Sequence, residues 1–150
     1  RADRAGDRRV SSQQKGENMP EVNWIAVALC AVSSLVLDGL WYSPVLFASP
    51  WQAAAGLSDE AAKSGNMGVI LGGAFVLSLI AAAVFAMFLG PNFGVGPAAA
   101  AGFSAGLCLV AGSYGITYLF ERRPLKLWLI NGGYHTLQFT LFGLIIGLMQ

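Results

Sequence analysis

Residues 67–89 read MGVILGGAFVLSLIAAAVFAMFL, an unbroken apolar run without one charged side chain. An α-helix rises 1.5 Å per residue, so roughly 20 such residues cross the about 30 Å of hydrocarbon in a bilayer. The run therefore reads as a membrane-spanning helix. Outward from it lie three more runs of similar character, Val22–Leu40, Ala98–Phe120 and Leu127–Met149. Trp24 and Trp41-Tyr42 bracket the first of these and Trp128 opens the last, as amphipathic rings do at headgroup level. The expected fold is an all-α integral membrane protein. Its four transmembrane helices, at about 22–42, 67–89, 98–120 and 127–149, form an antiparallel bundle within a domain covering residues 19–150.

Composition agrees with that reading. The chain is 55% hydrophobic and only 11% charged, against about 25% charged in soluble domains. A formal net charge of +1 and the lack of a basic patch interleaved with aromatics leave no footprint for a nucleic-acid partner. Cys30 and Cys108 both fall in apolar runs, where a thiol behaves as a small hydrophobe. Their spacing matches neither a disulfide framework nor a zinc site.

Arg1–Asn18 is polar and charged and is expected to be disordered. Met19-Pro20, directly before the first apolar run, reads as a natural start, so the upstream stretch is set apart from the fold. Between the first two runs, Ser49-Pro50-Trp51-Gln52 has the pattern of an N-cap, a first-turn proline and a capping-box glutamine. A short helix over Pro50–Ala55, ended by Gly56, is expected there, lying in the membrane interface because of Trp51 and Phe47. Ser58 before Asp59-Glu60 is a second cap signal. The linkers Gly90–Pro97 and Glu121–Lys126 are short enough to force antiparallel neighbours.

From Met19 onward, Lys63, Arg122, Arg123 and Lys126 all fall in the first and third linkers. The positive-inside rule then puts those linkers in the cytoplasm and both termini outside, in what is expected to be a bacterial inner membrane. Helix association in lipid relies on small residues that let backbones approach. The pairs Gly68 with Gly72, Gly102 with Gly106, and Gly143 with Gly147 each mark such a face, and their number leads us to expect a homo-oligomer or a partner subunit beside the membrane lipids.

Ionisable groups inside spans are costly and point to function unless they are paired. Asp38 lies about one turn from Trp41-Tyr42, within reach of Arg122, Arg123 or Lys126 as ion-pair partners. Asn131, His135 and Gln138 share one face of the last run, flanked by Tyr134, and Tyr114, Tyr118 and Glu121 share a broad face of the third. These polar groups gather in the cytoplasmic half. A continuous aqueous pore would need them along its whole length; a pocket for a small ligand, lipid headgroup or proton needs them at one depth. The candidate site is accordingly Asp38, Tyr114, Tyr118, Glu121, Asn131, Tyr134 and His135.

The segments Met19-Pro20-Glu21-Val22-Asn23-Trp24, Leu40-Trp41-Tyr42-Ser43-Pro44, Tyr118-Leu119-Phe120-Glu121-Arg122-Arg123 and Asn131-Gly132-Gly133-Tyr134-His135 resemble the bacterial membrane family named domain of unknown function 1761. The resemblance covers Met19 to Gln150. It implies a four-span protein and supplies no activity, substrate or catalytic residue.

Two functions compete on the residues. One is a membrane protein that binds or moves a small solute, lipid or proton through the polar cluster; the other is a structural or accessory subunit whose polar residues only fix helix packing. An enzyme ranks third, because no nucleophile stands beside an oriented base, no metal-ligand arrangement is visible, and no cofactor attachment motif is present.

Overall fold

The computed structural model describes residues 22–150. The segment Arg1–Asn18 and the start expected at Met19 lie outside the described residues. Those described residues form helices and no strand. In chain order the helices are α1 (Trp24–Trp41), α2 (Ala48–Ala55), α3 (Asp59–Ser64), α4 (Met67–Leu89) and α5 (Val95–Ser104). A π-helical stretch (Ala105–Ala111), α6 (Gly112–Phe120) and α7 (Leu125–Leu148) complete the series.

Local sequence explains most of these boundaries. The Asn23 and Asn66 side chains accept hydrogen bonds from the first free N–H groups of α1 and α4, and the Ser58 side chain does the same for α3. Gly56, with φ of 73°, ends α2 in the left-handed conformation. Two details differ from the expectation. Helix α2 starts at Ala48 with Phe47 as an uncapped N-cap, so Ser49 and Pro50 sit inside its first turn, where the N–H that proline lacks would have no intrahelical partner. The third run begins at Val95, which places Pro97 likewise in a first turn instead of in the linker.

Three helical stretches are long and apolar enough to cross a membrane: α1, α4, and the continuous run Val95–Phe120. Helix α7 is equally long but carries Asn131, His135, Gln138 and two threonines, which lower its hydropathy. Its position accounts for that composition. It is the central element, in contact with α1, α2, α4, α5, the π-helical stretch and α6, while α4 packs chiefly against α1. Asn131 and Gln138 on α7 thus meet protein, while most of the large apolar residues left exposed, among them Val36, Leu77, Phe88 and Leu119, belong to the surrounding helices.

Helices α5 to α7 meet along a seam of small residues. A Cβ on Gly102 would strike the Phe139 carbonyl, one on Gly106 the His135 carbonyl, and one on Gly143 the Ala98 carbonyl. Beyond the π-helical stretch the seam continues with Ala111 against Gly132 and Gly115 under the Trp128 indole. Its steps along the chain run four, four, then five residues from Ala98 to Ala111, and the wider π turn absorbs the extra residue. Gly143 and Gly147 therefore pack against the Gly94–Ala99 end of this seam. Gly68 and Gly72 behave otherwise: Gly72 has nothing within 4 Å and Gly68 touches only its own cap residue, Asn66.

That difference follows from how α4 lies. Its buried residues, Ser78, Ala82, Phe85, Ala86 and Leu89, all fall in its second half. There Ala82, Phe85, Ala86 and Leu89 join Val27 and Cys30 of α1, Ala98 of α5, and Phe142 and Ile146 of α7 in one apolar core. The same end is tied by Asn23 Nδ2 donating to the Met149 carbonyl at 2.9 Å and by Gln150, whose Nε2 donates to the Gly90 carbonyl at 2.7 Å. The first turns of α4 stand clear of this core, so at the opposite end α1, α6 and α7 frame the polar residues.

Candidate functional site

At that opposite end the last turn of α1, helix α2, helix α6 and the first half of α7 bring all four tyrosines of the chain together. Tyr42 donates its hydroxyl to Asn131 Oδ1 at 3.0 Å, and Asn131 Nδ2 donates to the Tyr118 hydroxyl at 2.8 Å. One amide thus bridges α1 and α6 across α7. The Trp41 indole donates to the Ile130 carbonyl at 3.1 Å. Rings fill the space between these bonds: Tyr42 lies against Tyr134 at 5.5 Å between centroids and against Trp51 at 5.3 Å, while Trp41 lies against Phe47 at 4.7 Å. The offset and edge geometries are those that aromatic quadrupoles favour.

Asp38 and His135 occupy the middle of this arrangement. The Asp38 carboxyl lies near the Tyr134 hydroxyl and near His135. Both residues are half-buried. The His135 ring stacks on Tyr114 at 5.1 Å with 15° between planes, and Tyr134 meets its edge at 4.9 Å. Its Nδ1 pairs with Gln138 Oε1 at 2.9 Å, which leaves Nε2 without a hydrogen-bond partner among the described residues.

Gln138 then links the site to the bundle's middle. Its Nε2 donates to Ser34 Oγ at 3.0 Å and to Ser78 Oγ at 3.2 Å, so one buried amide joins α1, α4 and α7. Above this triad the helices are closed by the apolar core.

The structure therefore brings Asp38, Tyr114, Tyr118, Asn131, Tyr134 and His135 together. Glu121 stands apart, on the exposed turn after α6, where its carboxylate pairs with Arg123 at 3.2 Å. Arg123 also donates to the Ala55 carbonyl at 3.3 Å. Arg122, Arg123 and Lys126 are exposed and form no ion pair with Asp38. The residues that spacing did not assign to the site are Trp41, Tyr42, Phe47 and Trp51. Their rings carried an interfacial signal in the sequence, and only the turn between α1 and α2 folds them back onto α7.

A family model described as "Protein of unknown function (DUF1761)" matches residues 25–147. The chain belongs to that family. The match takes in Asp38, His135 and every other residue of the DUF1761 site just described. Neither the curated proteins nor the solved structures gave a match.

Proposed function

We propose that this DUF1761 chain is a four-span bacterial inner-membrane protein that binds or moves a small solute, lipid or proton at the Asp38–His135 cluster. The fourth span is α7, whose polar face is served by the helices around it, and α2 lies in the interface through Trp51 and Phe47. Both termini are outside and the basic linkers cytoplasmic, so the cluster opens toward the cytoplasm.

One observation carries the reading. The ionisable side chains of α1 and α7 meet at one depth, half-buried, with hydrogen-bonding capacity left over: the Asp38 carboxyl and His135 Nε2. Packing alone would favour pairing such groups fully, as it does for Gln138 with Ser34 and Ser78. A carboxylate bordered by aromatic faces suits a cation, either a proton or an organic ammonium, because ring quadrupoles attract positive charge. The closed apolar end argues for a pocket with one opening at rest and against a standing pore.

The test is native mass spectrometry of the chain in nanodiscs, comparing the parent with Asp38→Asn and His135→Ala at matched stability. A small molecule held by the parent and lost from both variants supports the pocket. Empty, identical spectra favour the accessory-subunit reading, in which the uncovered Gly68–Gly72 face of α4 docks a partner or a second copy.

A further inference from the structure

Bordered by Trp41 lies a groove of about 510 Å³ between α7 and the stretch that runs from α5 into the π-helical turn. Phe103 and Leu107 form one wall; Trp128, Leu137 and the backbone at Gly132 and Gly133 form the other; Trp41 closes one side. Its polar atoms are already committed. Trp41 Nε1 donates to Ile130, Trp128 Nε1 to the Ala111 carbonyl at 2.7 Å, Thr136 Oγ1 to the Gly132 carbonyl at 2.7 Å and Thr140 Oγ1 to the Thr136 carbonyl at 2.6 Å. The wall offers an occupant carbon and asks for no hydrogen bond.

Its length and its end identify the occupant. From Trp128 to Thr140 the groove follows about 18 Å of helix, close to one leaflet's share of the about 30 Å hydrocarbon core. Its α7 wall begins at Trp128, just after Lys126 in the first turn of α7 and Arg122 in the preceding loop, both exposed and without a carboxylate partner among the described residues. A chain-length apolar slot that begins beneath unpaired cations matches a molecule with one acyl tail and a phosphate. We infer that this groove is a binding site for an anionic glycerophospholipid, with an acyl chain along α7 and its phosphate at the Arg122–Lys126 turn. The site is separate from the Asp38–His135 cluster and does not depend on the function proposed for it.

The small residues of the seam make the groove possible. Gly132 and Gly133 present backbone where side chains would fill the slot, and the wide π turn holds Leu107 and Ala111 along its wall. Trp128 stands at the opening with its N–H turned inward, so its carbon face meets the lipid, as interfacial indoles do.

The experiment is native mass spectrometry of the full chain released from nanodiscs of equal phosphatidylglycerol and phosphatidylcholine. The parent should retain phosphatidylglycerol preferentially, by about fivefold for each basic residue at the headgroup. Arg122→Gln with Lys126→Gln should bring the two lipids to parity while a lipid is still retained. Leu137→Trp, which fills the slot from an exposed position, should lose both lipids. The double charge variant sits on an exposed turn and probes the headgroup contact without touching the packing. Equal retention of both lipids by the parent overturns the inference, as does retention unaffected by Leu137→Trp. A lipid-free dimer whose second copy covers the groove overturns it too.

Discussion

Gly106, on the π-helical stretch, lies directly against the carbonyl of His135: a Cβ there would come within 2.6 Å of both that oxygen and the Cα of Thr136. The histidine of the candidate site is thus held from behind by a contact that only a hydrogen at Gly106 permits. Gly106→Ala should destabilise the bundle by about 1–3 kcal/mol through overpacking and displace His135 from Tyr114. Gly72→Ala is its counterpart. With nothing within 4 Å of Gly72, alanine should be neutral or up to about 1 kcal/mol stabilising through helix propensity. Thermal unfolding of both variants in one detergent checks the pair, and equal effects would mean that the seam does not run through Gly106.

Gln138 joins three helices through one buried amide. Gln138→Leu removes its bonds to Ser34 and Ser78 and the partner of His135 Nδ1. Interhelical hydrogen bonds in membranes average about 0.6 kcal/mol each, so a loss of about 1–3 kcal/mol is expected once the orphaned groups are counted. Ser34→Ala should cost less, because Ser78 still accepts from the amide. Unfolding titrations of the two variants give the order, and a larger cost for Ser34→Ala would contradict it.

Much of this fold was legible because a bilayer leaves few alternatives. A charge-free run such as 67–89 has to be a helix, and the short linkers after Leu89 and Phe120 fix its neighbours. Spacing also placed Asn131, His135 and Gln138 on one face; Asn131 bonds from it to α6, Gln138 to α1 and α4, and His135 stacks on Tyr114 of α6. Spacing could not say which helix is central. The polar content of α7 lowers its hydropathy, and the reason it tolerates Asn131 and Gln138 is visible only from what surrounds them. Glu121 shared a helical period with Tyr114 and Tyr118, yet α6 ends at Phe120 and the turn carries Glu121 outward to Arg123. The π-helical stretch left no trace in hydropathy, since it answers to the five-residue step between Gly106 and Ala111 in a seam that needs two helices to exist.

The Tyr42–Asn131–Tyr118 bridge predicts coupling between α1 and α6, which otherwise face each other across the first half of α7. Tyr42→Phe and Tyr118→Phe each leave one polar end of the Asn131 amide without its partner. Once Asn131 is already leucine, either change should be nearly silent. A double-mutant cycle on thermal stability should give a coupling of about 0.5–2 kcal/mol for each tyrosine with Asn131. Additive effects would mean that the tyrosines act only through their ring packing.

Glu121 and Asp38 are both carboxylates near the same end of the bundle, and they stand in different surroundings. Glu121 and Arg123 are 48% and 45% exposed, and an exposed ion pair of this kind contributes little, about 0–1 kcal/mol, less in salt. Glu121→Gln should therefore leave both stability and any retained ligand unchanged. Asp38→Asn keeps the size of the side chain, so the fold should survive, but the negative charge that would hold a cation among the aromatic rings is gone. In parallel nanodisc preparations, the amide at residue 121 should match the parent while the one at residue 38 loses the ligand. Loss from the Glu121 variant alone would move the site to the exposed turn and away from the aromatic cluster.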